Sequence, residues 1–372
     1  MKKVVFASHV TTVDGKQYDG IGNALLDIFP SLTSSFWFVR HSMDGMLRSE
    51  VQDFKDGNIV KKHQLHVVRN PSALRYISEL ISTIFYFTFF NKVDVYIGID
   101  PLNALAGIVL KKLGRLETAI FYTADYSLTR FNNKLLDGIY HRIDKFCVRH
   151  ANEVWSVSSN IVDIRRSMGL EENKNIFLPN VPPDTYNEYR KNSHDIYSLI
   201  TYGIVDKQLD YKGVTDAVNI LKDEFPTISL TIIGNGPEEA RLKKYVRTLE
   251  LSDRIYFMGR LSLGETLKVA SRSGIGLALY NGTWGFNQFG DSTKVREYFN
   301  FGLPVISTDT HSTVSDIRDN NAGIVTELST ESYVAAIRKV IKGYKTYSKN
   351  SLRVGKRYEG AHRLQLEKLL KD

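Results

Sequence analysis

The stretch YSLITYGIVDKQLDYKGVTDAVNILKDEFPTISLTIIG, residues 197–234, decides the fold. Two short apolar runs, YSLITYG and ISLTIIG, each end on a glycine. Between them GVTDAVNILKDEF carries apolar residues at helical spacing. Strand, helix and strand in that order make one parallel crossover unit. Downstream the pattern continues, with GPEEARLKKYVRTL as helix, RIYFMG as strand, LGETLKVASRS as helix, IGLALY as strand, KVREYFNFG as helix and LPVIST as strand. Such alternation predicts a parallel sheet wound on both faces.

Upstream the alternation is the same. KKVVFAS, SSFWFVR, HQLHVVR, VDVYIGI, ETAIFYT and EVWSVS read as strands; IGNALLDIF, PLNALAGIVLKKLG and NNKLLDGIYHRIDKFCVRHA read as helices. Only FLPNVPPDTYNEYRKNSHD, residues 177–195, breaks the texture, and its Pro, Asn and Asp content marks a linker. The reading is therefore α/β, with two doubly wound Rossmann-like domains facing a cleft, residues 1–185 and 186–346. A length of 372 residues suits two such domains.

Composition narrows the function. Net charge is +8, which favours anionic partners such as phosphorylated small molecules or an anionic membrane surface. A nucleic-acid binder would need a basic recognition helix or an RNA-binding module, and neither is present. The single cysteine, Cys147, precludes an intrachain disulfide and fits a reducing compartment. The N-terminal apolar run is only VVFA, too short for a signal peptide, so a cytoplasmic location is expected. The segment from Tyr76 to Phe90 is aromatic and apolar but interrupted by Glu79, and reads as a buried helix rather than a span. Lys61, Lys62, Arg69 and Arg75 precede it, so contact with the inner face of a membrane is a second reading.

Ligands of doubly wound sheets sit where strands run into helix N-termini. Four turns qualify. Gly20 and Gly22 open the first helix, but no third glycine completes a dinucleotide fingerprint. Gly203 ends a strand, with Lys207 and Lys212 in the loop beyond it as a diphosphate clamp. Gly234 and Gly236 end the next strand, with contact to a ligand and a tight turn both open as their role. In GDSTKVREYFNFGLPVIST, residues 290–308, Asp291 or Ser292 can cap a helix whose first N–H groups, at Ser292, Thr293 and Lys294, suit phosphate. Glu297 follows one turn on; phosphate would repel it, and a ribose diol suits it.

That last segment, with LITYGIVDKQLDYKGVTDAV, LTIIGNGPEEARLKKYV, RIYFMGRLSLGETLKVA and GIGLALY in order, resembles the retaining glycosyl transferases group 1, which have the GT-B fold. The resemblance implies that Glu297 holds the donor ribose, that Ser292, Thr293 and Lys294 meet the diphosphate, and that Lys212 neutralises the leaving phosphate. It places Gly203 and Gly259 against the donor, and implies that residues 347–372 cross back to the first domain. Three positions depart from the family. Phe289 stands where a glutamate is usual, leaving Asp291 to touch sugar hydroxyls; Ile204 replaces an arginine, leaving Lys207; Ala124 replaces a histidine, leaving Asp125 as the acid.

The implied reaction moves a sugar from a nucleotide-diphosphate sugar to a glycan or lipid-linked acceptor with retention. Asp291 and Asp125 are the candidate catalytic acids. No D-x-D motif stands near the expected site, so neither a metal nor another cofactor is expected. The alternatives are a nucleotide-sugar epimerase or hydrolase of the same fold, and a non-catalytic nucleotide-sugar-binding protein.

Overall fold

The computed structural model describes residues 2–13, 16–18, 20–68, 70, 72–89, 92–131, 133–190, 194–282 and 287–371. The chain divides into two compact units, Met1–Pro179 with Ala361–Asp372, and Asn180–Gly360. The sequence boundaries of 185 and 347 therefore move to 179 and 360. Tyr347 is buried in the core of the second unit, so the C-terminal segment leaves that unit later than expected. Arg69 and Phe90, named above, lie outside the described residues.

The first unit contains β1 (Val4–Val13), β2 (Lys16–Tyr18), α1 (Gly20–Leu32), β3 (Ser35–Ser42), β4 (Glu50–Lys55), β5 (Asn58–Gln64), α2 (Ser72–Phe89), β6 (Val95–Ile99), α3 (Pro101–Lys112), β7 (Thr118–Thr123), α4 (Lys134–His150), β8 (Glu153–Ser156), α5 (Ser159–Ser167) and β9 (Asn175–Phe177). Among the described residues its sheet runs β5-β4-β3-β1-β6-β7-β8-β9, with β2 paired to β1. It is parallel from β3 to β9, while β4 and β5 form an antiparallel edge. The run HQLHVVR is thus strand only to Gln64, and a hairpin precedes it. Asp56 and Gly57 turn that hairpin, both at positive φ (49° and 78°), the geometry that an Asp-Gly pair supplies.

The second unit contains β10 (Ser198–Tyr202), α6 (Tyr211–Leu221), β11 (Ser229–Ile233), α7 (Glu239–Thr248), β12 (Ile255–Gly259), α8 (Leu263–Ala270), β13 (Ile275–Ala278), α9 (Thr293–Phe301), β14 (Val305–Thr308), α10 (Val314–Asp319), β15 (Gly323–Thr326), α11 (Thr330–Lys342) and α12 (Tyr344–Arg357). Its sheet is parallel throughout, ordered β12-β11-β10-β13-β14-β15. The final helix, α13 (Ala361–Lys371), belongs to the first unit. There His362 hydrogen-bonds the hydroxyl of Tyr122 at 2.7 Å, and Arg363 donates to Ser31 at 2.8 Å. Burial lowers the His362 pKa to about 4, so the imidazole is neutral in this contact.

The ends of β10, β11 and β12 pack backbone to backbone. Gly203 donates to Ile233 O at 2.9 Å, and Gly234 donates to Gly259 O at 2.7 Å. A Cβ on Gly234 would fall 1.9 Å from Gly203 O, and one on Gly236 would fall 2.3 Å from Val205 O. These two glycines are therefore required by packing, which decides the reading left open by sequence. Gly259 differs: φ is +62°, yet no described atom lies within 4 Å of where its Cβ would stand. Gly234→Ala should cost about 2–4 kcal/mol, from overpacking added to backbone strain. Gly259→Ala should cost only the strain, about 1–2 kcal/mol. Urea denaturation of the two variants checks the difference; equal midpoints would contradict it.

Candidate functional site

In the second sheet the winding reverses between β10 and β13. Open α/β sheets bind ligands outside the strand carboxyl ends at such a reversal. The loop after β10 begins at Gly203, and the chain leaving β13 leads to the N-terminus of α9. The two meet: a Cβ on Gly203 would stand 3.7 Å from Lys294 Nζ. Ser292 caps α9, its Oγ accepting from Val295 N at 3.4 Å. Thr293 and Lys294 occupy the first turn, where backbone N–H groups have no intrahelical acceptor and the helix dipole favours an anion. The Lys294 ammonium lies 5.3 Å from the Tyr280 ring and 5.9 Å from that of Tyr202. Among the described residues it has no carboxylate at salt-bridge distance.

Glu297 is buried one turn further along the same helix. The Tyr202 hydroxyl donates to its Oε2 at 2.5 Å. No described residue donates to Oε1. Burial raises the Glu297 pKa to about 7, against the opposing effects of the Tyr202 bond and the Lys294 charge. No salt bridge joins Glu297 to Lys294, three residues before it. Among the described residues no donor meets the second oxygen of Glu297, which lies near a cation and a helix N-terminus.

Asp291 does something other than expected. Its carboxylate has no exposed surface. It accepts from Arg296 Nε and Nη2 (3.0 and 2.8 Å), from Thr313 Oγ1 (2.8 Å) and from Asn180 N (2.7 Å). A carboxylate so occupied cannot reach sugar hydroxyls. It is a positioning residue that anchors the start of α9.

The remaining candidates are dispersed. Lys207 and Lys212 line a groove of about 560 Å³ beside α7. Lys212 pairs with Asp216 at 2.8 Å and stands 4.8 Å from the Tyr245 ring. Among the described residues, neither lysine comes within 4 Å of the Gly203 Cβ position. Gly20 and Gly22 lie inside the first turn of α1. Asp125, just past β7, is an exposed carboxylate paired with Arg130 at 2.8 Å.

Sequence reading missed Tyr202 and Tyr280, and it missed a buried network in the first unit. His9, in β1, joins Asp100 through Nδ1 (2.6 Å) and Glu79 through Nε2 (3.1 Å). Burial opposes a charge on His9, but Asp100 and Glu79 outweigh it and raise its pKa to about 10. His41 is held neutral, its pKa lowered to about 4 by burial and by the His9 charge. Asp100 caps α3 at φ 81°, a strained conformation for a residue with a side chain. A polar residue set directly after an apolar run, as in GIDP, was the available signal.

The second unit's sequence and the fold of the chain resemble known proteins. Residues 187–354 match the family model Glycosyl transferases group 1. The fold is GT-B. Over the whole of both chains the structure superposes on Anabaena Alr3699/HepE in complex with UDP, at 12% identity and a TM-score of 0.71. It superposes on a sucrose-phosphate synthase from Thermosynechococcus elongatus at 11% identity and TM-score 0.68, covering 100% of this chain and 98% of that one. With a lipopolysaccharide outer core galactosyltransferase, WaaB, the values are 18% and 0.63, covering 98% and 99%. No curated protein sequence matches.

The raised pKa of Glu297 has a consequence for stability. The folded protein holds this proton more tightly than the unfolded chain between pH 4.5 and about 7. Stability contributed by this group therefore falls as pH rises through that window and stays low above it. Glu297→Gln keeps an acceptor for Tyr202 and carries no charge. It should melt at a higher temperature than the parent above pH 7, with the gap closing toward pH 4.5. Melting curves across this range check the sign.

Proposed function

We propose that the protein is a nucleotide-sugar glycosyltransferase that retains anomeric configuration and needs no metal. One observation carries this reading: a buried carboxylate with a spare oxygen sits one turn beyond a helix N-terminus that abuts Gly203 and Lys294 at the switch point of the second sheet. Phosphate fits the helix end and Lys294; the ribose hydroxyls fit Glu297. UDP in the Anabaena protein of the same fold supports the nucleotide, and the family match supports the reaction.

The chemistry follows from the leaving group. The bond between the sugar C1 and the diphosphate oxygen breaks as the acceptor hydroxyl forms a new C1–O bond on the same face. The acceptor proton passes to the departing phosphate oxygen. Lys294 and the α9 dipole stabilise the charge that develops there. Lys294→Ala should lower kcat/KM by roughly 10²–10³. Glu297→Ala should weaken donor binding by about tenfold or more while leaving the circular dichroism unchanged. The assay is nucleotide release from a panel of nucleotide sugars, run with and without EDTA. Unaltered kinetics in both variants would refute the site, and a loss restored only by Mg²⁺ would refute metal independence.

The acceptor reading adds a lipid-linked glycan and peripheral contact with an anionic membrane. Among the described residues no helix is long and apolar enough to cross a bilayer. α2 nevertheless exposes an apolar stripe, although Tyr86 and Phe87 are buried in the core and Leu80 and Ile84 pack against it. Arg75 and Glu79 are buried, while Leu74, Ile77, Ile81, Phe85 and Phe89 are all more than half exposed. Lys61 and Lys62 line the adjacent groove with Ile81 and Phe85. An apolar stripe flanked by lysines suits an anionic interface. Phe85→Ser with Phe89→Ser should reduce binding to anionic liposomes several-fold, and added salt should weaken the parent, since 0.1 M salt screens charge beyond about 10 Å. Equal binding by parent and variant in cosedimentation would remove this part.

A further inference from the structure

Against the inward face of α2 the first unit holds a polar pocket of about 340 Å³, lined by Gly45, Arg48, Ser49, Gln64, Arg75 and Glu79 among others. Arg75 is 7% exposed. Its Nη2 donates to Met43 O at 2.8 Å, and its guanidinium stands 5.0 Å from the Tyr76 ring. Among the described residues its buried Nε has no hydrogen-bond partner. A Cβ on Gly45 would fall 2.3 Å from Nη1, so the loop backbone is shaped around the guanidinium. Arg48, exposed at the rim, donates to Gln64 Oε1 at 2.9 Å. Among the described residues, neither arginine has a carboxylate at salt-bridge distance.

Among the described residues one acid, Glu79, lines the pocket, and its oxygens are already engaged. Oε1 accepts from Ser49 Oγ at 3.1 Å, and Oε2 meets His9 Nε2 at 3.1 Å. The buried charges close among themselves: cationic His9 and Arg75 against anionic Glu79 and Asp100. Arg48 is then surplus, and the pocket is net positive. Arginine keeps its proton, and the positive charge of these two side chains with the unpartnered Arg75 Nε favours an anion in the pocket. Two guanidinium forks suit a tetrahedral oxyanion with several acceptor oxygens. Leu74, next to Arg75 in the chain, begins the exposed apolar stripe, which gives a hydrocarbon tail somewhere to lie.

We propose that this pocket binds a phosphate group between Arg48 and Arg75. Its identity as the phosphate of the acceptor rests on the glycosyltransferase reading; the anion site itself does not. The test is calorimetric titration of the intact protein with inorganic phosphate, against chloride at equal ionic strength, with UDP present to occupy the donor site. Arg48→Ala and Arg75→Lys should each weaken phosphate binding about tenfold, the loss of one charge-assisted bond, and leave UDP affinity unchanged. Should Arg75→Lys fail to fold, the exposed Arg48→Ala still decides. Equal phosphate affinity in parent and Arg48→Ala overturns the proposal. Absence of UDP binding in the parent would instead count against the donor reading. Phosphatidylcholine vesicles doped with phosphatidic acid separate the sources. Release of the parent from them by inorganic phosphate, with no such effect in Arg48→Ala, assigns the group to a lipid; calorimetric binding without that competition assigns it to a soluble acceptor.

Discussion

The start of α9, on which the proposed donor site rests, depends on one buried ion pair, Asp291 with Arg296. The guanidinium grips Asp291 through Nε and Nη2 and reaches Asp316 with Nη1 at 2.7 Å, while its plane lies 4.8 Å from the Tyr358 ring. Through Asp291, Thr313 and Asn180 the pair fixes where α9 begins. The helix start in turn fixes Ser292, Thr293 and Lys294, and one turn later Glu297. Breaking a buried pair by removing one partner costs roughly 3–5 kcal/mol, because the other charge is left unpaired. The acid nearest the predicted sugar thus has a structural duty, and the ligand-facing carboxylate is the one with a free oxygen.

The first unit uses the same device for another purpose. β1 carries His9, Asp100 follows the end of β6, and α2 supplies Glu79 from its inner face. The inner face of α2 buries these charges together with apolar Tyr86 and Phe87, with Leu80 and Ile84 packed beside them. Ile77, Ile81 and Phe85 are left on the exposed side.

Strand order and helix placement were legible because they rest on period and local chemistry. The alternation from residue 197 onward gives the second sheet almost element by element, and Pro237 after Gly236 announces α7. The Asp56-Gly57 hairpin was missed, because HQLHVVR is apolar enough to read as an independent strand. What failed depends on long-range partners. Asp291 looks like a free acid until Arg296, Thr313 and Asn180 surround it, and Asn180 is more than a hundred residues away. Lys212 is an expected phosphate clamp that the structure shows exposed and paired locally with Asp216, four residues on, beside the Tyr245 ring. The exposed apolar stripe of α2 could not be read, since its composition fits a fully buried helix, and the burial of Arg75 and Glu79 beside Phe87 depends on partners far off in sequence.

Glu297 shows how such a site is prepared. A carboxylate in water would be ionised well below neutral pH; here burial holds it at about 7. The site is therefore strained toward protonation when empty, and its stabilising partners are a tyrosine hydroxyl and a nearby ammonium. A ligand that brings hydroxyl donors satisfies the spare oxygen and favours the ionised form, which drives the proton off. A ligand that brings phosphate to Lys294 does the opposite, because it withdraws the cation that helps Glu297 ionise. A nucleotide sugar brings both at fixed separation. On the proposed reading the ribose would supply donors to Glu297 while the diphosphate would engage Lys294 and the α9 amides, so each half would offset the electrostatic cost of the other. Free phosphate or a free nucleoside would lack that compensation, and the proposed site would therefore favour the intact diphosphate nucleotide.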